Sequence, residues 1–112
     1  MEKLNTLEKA ILNEIANTYP ELSSHIESIR ITKRELTGVG SYTNFAPIEE
    51  PIKVVNNLQI LNLNKLINIP SIKHGLGAHI EMKNGIPEFL EIYTYGNSSW
   101  DGTYDQFNFT RV

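Results

Sequence analysis

The stretch Leu76-Gly77-Ala78-His79-Ile80-Glu81-Met82-Lys83-Asn84-Gly85-Ile86-Pro87-Glu88-Phe89-Leu90-Glu91-Ile92-Tyr93-Thr94-Tyr95 decides the fold. Ala78, Ile80 and Met82 alternate with His79, Glu81 and Lys83, the period of two that a strand requires. Asn84-Gly85 follows, a pair suited to the positive φ angles of a tight hairpin turn. On the return, Phe89, Glu91, Tyr93 and Tyr95 fall on one face and Leu90, Ile92 and Thr94 on the other. A β-hairpin is therefore expected from Ala78 to Tyr95.

Downstream, Gly96-Asn97-Ser98-Ser99 and Asp101-Gly102 read as a polar loop around Trp100, and Gln106 to Thr110 alternates again as a closing strand. Upstream, Val54 to Ile69 is less regular. Leu58, Ile60, Leu61, Leu63 and Leu66 resemble one leucine-rich repeat, but no second copy exists to bury its face. A strand at Leu58–Leu63 with a turn before Pro70 is expected instead. Before it, Pro47 and Pro51 frame a loop around Glu49-Glu50. Ser41 to Phe45 is extended, Thr37-Gly38-Val39-Gly40 is a turn or bulge, and Ile29 to Glu35 alternates as a strand.

The N-terminal segment has a different period. Asn5 and Glu8 form a capping box, with Leu4 as a hydrophobic staple. Leu7, Ile11, Leu12 and Ile15 make a helical stripe. Pro20 ends that helix and opens a second, shorter one carrying Leu22, Ile26 and Ile29. Helices followed by consecutive antiparallel strands predict an α+β fold of one domain, residues 1–112, with two N-terminal helices packed on one face of a curved, mainly antiparallel sheet.

Bulk composition narrows the function. The chain has 112 residues, 40% hydrophobic and 21% charged, which is ordinary globular composition. It has no cysteine, so thiolate nucleophiles, disulfides and cysteine-based zinc sites are excluded. Met1-Glu2-Lys3-Leu4-Asn5 does not begin a secretion signal, and no apolar run approaches a membrane span. A cytoplasmic location is expected. The net charge of −3, with scattered lysines and arginines, argues against nucleic acid as a partner.

Catalytic motifs are missing. No G-x-S-x-G elbow occurs, and the glycines at 38 and 40 and at 75 and 77 lack the context of a dinucleotide or phosphate loop. The chain is expected not to be an enzyme and to need no cofactor. An alternative reading is a small enzyme or ligand- and metal-binding protein built on His74, His79 and Glu81, because His79 and Glu81 share a strand face. Paired carboxylates at Glu88 and Glu91, and at Asp101 and Asp105, would serve acid–base chemistry only around a cleft.

From residue 81 onward, Glu81, Glu88, Glu91, Asp101 and Asp105 face only Lys83 and Arg111, with Tyr93, Tyr95, Trp100 and Tyr104 interleaved. Aromatics supply anchor area and carboxylates steer a basic partner. Glu88, Glu91, Tyr93, Tyr95, Trp100, Asp101 and Asp105 are therefore the candidate partner-binding residues. The competing reading places the aromatics in the core and leaves the carboxylates as solvated strand ends. The closing strand, Gln106 to Val112, is a candidate sheet edge for assembly.

Three segments carry a family resemblance: Arg34-Glu35-Leu36-Thr37-Gly38-Val39-Gly40-Ser41-Tyr42-Thr43, then His74-Gly75-Leu76-Gly77, then Leu90-Glu91-Ile92-Tyr93-Thr94-Tyr95 with Trp100 after it. With the leucine-bearing first helix, they are similar to a widespread family of small bacterial proteins that resemble immunity proteins of polymorphic-toxin and contact-dependent growth-inhibition systems. The resemblance implies a cytosolic inhibitor, a monomer or weak dimer, that binds the C-terminal domain of a cognate toxin. That toxin is frequently a basic nuclease, and the inhibitor occludes its active site. The shared glycines imply structure rather than an active site.

Overall fold

Helix α1 (Thr6–Thr18) starts where the capping box places it. Asn5 Oδ1 accepts the Glu8 N–H and Glu8 Oε1 accepts the Asn5 N–H, both at 2.8 Å. Two of the orphan donors of the first turn are thereby satisfied. The second helix, Pro20–Ser28, is a 3-10 helix rather than an α-helix. Its serines favour the tighter winding, since the Ser23 and Ser28 hydroxyls donate to the carbonyls of Pro20 and His25, three residues back. Leu22 and Ile26 are its buried residues.

The computed structural model describes residues 2–49, 51–52 and 58–112. Glu50 of the proline-framed loop, and residues 53–57 at the start of the middle segment, lie outside the described residues. The strands are β1 (Glu2–Lys3), β2 (Arg30–Leu36), β3 (Gly40–Phe45), β4 (Ile60–Asn62), β5 (Lys65–Asn68), β6 (Leu76–Lys83), β7 (Ile86–Thr94) and β8 (Asn108–Arg111). They form one open antiparallel sheet in the order β1-β2-β3-β7-β6-β5-β8, with β4 also paired to β6. The fold is α+β. No described helix is long and apolar enough to cross a membrane.

The β6–β7 hairpin closes through Asn84 and Gly85, both at positive φ (52° and 79°), as the Asn-Gly pair predicts. One irregularity interrupts it: Glu81 pairs with Phe89 but Met82 with Pro87, so Glu88 is an extra, bulged residue. The expected strand at Leu58–Leu63 is present as the shorter β4, and β5 follows it where only a turn before Pro70 was expected. β4 and β5 both run along β6, but β5 pairs as though two residues had been inserted between them. At the break, Leu63 N–H still bonds the Ala78 carbonyl and the Asn64 amide reaches Thr18 Oγ1 on α1. β1 is too short for any periodicity to reveal.

Alternation divides the sheet into two faces. Thr43, Phe45, Leu61, Ile67, Leu76, Ala78, Ile80, Leu90 and Ile92 are buried on the first. All but Thr43 belong to the same buried cluster as Leu7, Ile11, Leu12 and Ile15 of α1 and Leu22 and Ile26 of the 3-10 helix. Burial of each such aliphatic side chain is worth roughly 1.5–3 kcal/mol. Glu8 is the one buried carboxylate among the described residues, at 2% exposure. It binds the Arg34 guanidinium of β2 through both oxygens (2.8 and 2.7 Å) and accepts the Thr43 hydroxyl of β3 at 2.8 Å. Arg34 also pairs with Glu2 and reaches the Lys3 carbonyl on β1.

Candidate functional site

The second face carries the polar and aromatic residues of the same strands, and the register arranges them in transverse rows. One row is Glu35–Tyr42–Glu91–His79–Asn62, running over β2, β3, β7, β6 and β4. The next row is Lys33–Asn44–Phe89–Glu81–Ile60, each residue directly opposite its neighbour. A third row sets Tyr93 between Gly40 and Gly77. Side chains opposite or diagonal to one another across paired strands are near enough to interact, both along a row and between rows.

The contacts follow. His79 Nε2 lies 3.4 Å from Glu91 Oε1 across the strand pair and 3.6 Å from Glu81 Oε2 on its own strand. The Tyr42 ring meets Phe89 edge-on at 5.5 Å, and Tyr93 meets Tyr95 edge-on at 5.7 Å. The His79 and Tyr93 rings are 6.0 Å apart. Space for the tyrosines comes from Gly77. A Cβ there would stand 2.6 Å from the Tyr95 hydroxyl and 2.7 Å from the Tyr93 ring, so both rings lie over bare backbone. At one end of the face Phe89, Asn44, Lys33, Glu35, Lys83 and Pro87 help to line a groove of about 620 Å³.

Electrostatics tie the tyrosines to the carboxylates. The charge of Glu91, aided by partial burial, raises the Tyr42 hydroxyl above the ordinary tyrosine value. Burial, then the neighbouring Tyr95, pushes Tyr93 up to about 12. Replacing Glu91 by glutamine is therefore expected to return Tyr42 toward the ordinary value of about 10. The measurement is an ultraviolet titration of tyrosinate, and an unchanged curve would show that Glu91 does not act on Tyr42. Raised tyrosines favour the folded state while neutral. Their contribution is full below about pH 10 and lost as pH rises through the folded values, about 12 for Tyr93.

The seven candidate partner-binding residues do not form one patch. Glu91 and Tyr93 stand on the second face, and Tyr95, 41% exposed, continues it just past β7. Glu88 is exposed at the bulge. Trp100 is corrected to the core: it is only 5% exposed, its indole N–H donates to the Thr103 carbonyl at 3.0 Å and its backbone N–H to Gly38. A large ring with one polar tip is well served by such a site. Asp101 is a turn residue whose carboxylate accepts the Thr103 N–H at 2.9 Å, and hydrogen bonds from Thr103 hold its pKa below the ordinary value. Asp105 is exposed beside Ile69, Pro70 and Gln106, off the rows.

Of the alternative trio, His79 and Glu81 come together but His74 does not join them. Its imidazole packs on Gly96, where a Cβ would meet His74 Cδ2 at 2.8 Å. Among the described residues no group of three or more His, Cys, Asp or Glu side chains is placed to hold a metal ion. Sequence reading missed Glu35, Tyr42 and Asn44 as members of the face, while Phe89 was already placed beside Glu91. The alternation of Tyr42 with Thr43 was available, but the β3–β7 pairing that brings Tyr42 to Glu91 joins distant segments and leaves no local signal.

Compared with protein-family models, with curated proteins and with solved structures, the chain matches none of them.

Proposed function

We propose that this chain is an inhibitor of the immunity type, which binds a basic toxin domain through the second face of its sheet and occludes that domain's active site. One observation carries the reading: half-exposed tyrosines and carboxylates alternate in register on paired strands, with Glu81 and Glu91 both facing one imidazole and, among the described residues, no lysine or arginine within 4 Å. Aromatic side chains held by a sheet lose little freedom on binding, and partly desolvated carboxylates pair strongly with Arg or Lys. The reading takes the two helices as the cover of the first face, supported by the common buried cluster and by the links from Glu8 to β2 and β3. It also takes the protein as cytoplasmic, a monomer or weak dimer, and the toxin as a nuclease.

The test is inhibition and calorimetric titration of candidate basic nuclease toxin domains, beginning with any encoded beside this gene. Glu91→Lys is expected to weaken binding roughly 100-fold, because it puts a like charge against the partner at the centre of the face. Asp105→Lys makes the same change of charge off the rows and is expected to change binding less than about threefold. Equal loss in both variants would mean that net charge, not this face, governs association. Intact toxin activity at saturating inhibitor would remove the reading.

A further inference from the structure

We infer that the convergence of Glu81 and Glu91 on His79, beside the Tyr93 ring, is a socket for an arginine guanidinium of the partner. The inference rests on the reading of this face as the partner surface and specifies what the face recognises. Both carboxylates approach the same imidazole nitrogen, so their nearer oxygens lie within about 7 Å of each other. Their side chains are 35% and 28% exposed and His79 is 17% exposed, so water screens the group only partly. The other carboxylates found in ion pairs, Glu2, Glu8, Glu14, Glu27 and Glu35, each meet a lysine or arginine. Among the described residues, Glu81 and Glu91 have none within 4 Å. One imidazole carries at most one positive charge against their two negatives.

An incoming cation would complete the group, and the surroundings favour a planar one. Tyr93 offers a ring beside the carboxylates, held over Gly77 and braced edge-on by Tyr95. A guanidinium stacks on such a ring while its fork of N–H donors reaches carboxylates on two sides. A lysine ammonium supplies the charge without the plane or the fork. Arginine is thus the side chain this geometry fits.

The experiment is an amide NMR titration of the full-length protein at low salt with N-acetyl-arginine amide, and with its lysine and citrulline counterparts. The arginine probe is expected to shift His79, Glu81, Glu91 and Tyr93 and to bind at least fivefold more tightly than the lysine probe, with citrulline silent. His79→Lys, which keeps both carboxylates but places a tethered ammonium between them, is expected to abolish the effect. Glu21→Gln on the exposed 3-10 helix changes net charge by the same amount and is expected to preserve it. Should His79→Lys fail to fold by circular dichroism, the Glu81→Gln/Glu91→Gln double variant serves in its place. Equal affinity for arginine and lysine, shifts centred elsewhere, or a response of these residues to zinc chloride but not to arginine would overturn the socket. If arginine leaves the face untouched while Glu91→Lys still abolishes toxin binding, the socket falls and the toxin interface stands. If arginine binds here and no toxin does, the socket stands and the toxin reading falls.

Discussion

Replacing Arg34 by alanine is expected to cost about 3 kcal/mol of folding stability, the low end for breaking a buried ion pair from one side. The partner left behind is Glu8, at 2% exposure, whose carboxylate accepts the Asn5 N–H, the Thr43 hydroxyl and two guanidinium N–H groups. Without Arg34 it keeps two donors but no countercharge in a site that water scarcely reaches. The loss also leaves β1 held only by its pairing with β2, because the guanidinium is what joins Glu2 and the Lys3 carbonyl to Glu8. In a domain whose total stability is on the order of 5–15 kcal/mol, this would lower the midpoint of thermal unfolding by roughly 12 °C or more. Arg34→Lys should recover only part, since a point charge cannot reproduce the two-oxygen contact. Paired removal, Glu8→Gln with Arg34→Met, should cost less than Arg34→Ala alone. Chemical denaturation of the four proteins measures this. A cost below about 1 kcal/mol for Arg34→Ala would mean that solvent already screens the pair, whose arginine side chain is 32% exposed.

The second large effect is expected at Gly40. A methyl group there would stand 2.2 Å from the Ile92 carbonyl oxygen and 3.1 Å from Tyr93 Cα, both backbone atoms of the paired strand. Neither can rotate aside, so β3 and β7 must part where Gly40 faces Tyr93. Overpacking of this kind costs about 1–3 kcal/mol before any ladder bond is lost, and a total of about 3 kcal/mol is expected. Tyr93 moves with the strand, so Gly40→Ala should also impair the proposed binding of a toxin domain under conditions where the protein remains folded. Gly38→Ala is the control. Nothing lies within 4 Å of its would-be Cβ, and only its positive φ of 91° opposes the substitution, at about 1–2 kcal/mol. If the two variants melt together, the close approach at Gly40 is not what holds the strands.

How far the sequence reveals this molecule depends on how local each signal is. The Asn84-Gly85 turn, the Asn5–Glu8 capping box and the alternation of Ala78, Ile80 and Met82 act within a few residues, and each appears where the pattern puts it. The strand expected at Leu58–Leu63 stops short of β5, because Lys65-Leu66-Ile67-Asn68 is too brief, with its two apolar residues adjacent, to show an alternation. Glu8 was legible as a cap but not as the carboxylate that joins α1 to β2 and β3, for that requires knowing that Arg34 and Thr43 face it. The site divides in the same way. Glu91 and Tyr93 were legible from their strand, and His79 with Glu81 from theirs. Trp100 looked like Tyr93 in sequence, a large aromatic among carboxylates, and only tertiary packing separates the buried ring from the half-buried one.

The strand order has a consequence for how the chain is made. The central strand β7 joins β3 to the β6 hairpin, yet it is translated long after β3. Until Thr94 has emerged from the ribosome, α1, the 3-10 helix and the β2–β3 pair have no partner for the Tyr42 edge, and the nascent half-sheet presents unpaired backbone donors and acceptors. Closure of β3 on β7 spans nearly half the chain, which makes it the step that loop-closure entropy slows most. Pairing of β3 with β7 is therefore a late step of folding, and the nascent N-terminal half is the species that a chaperone would have to shield.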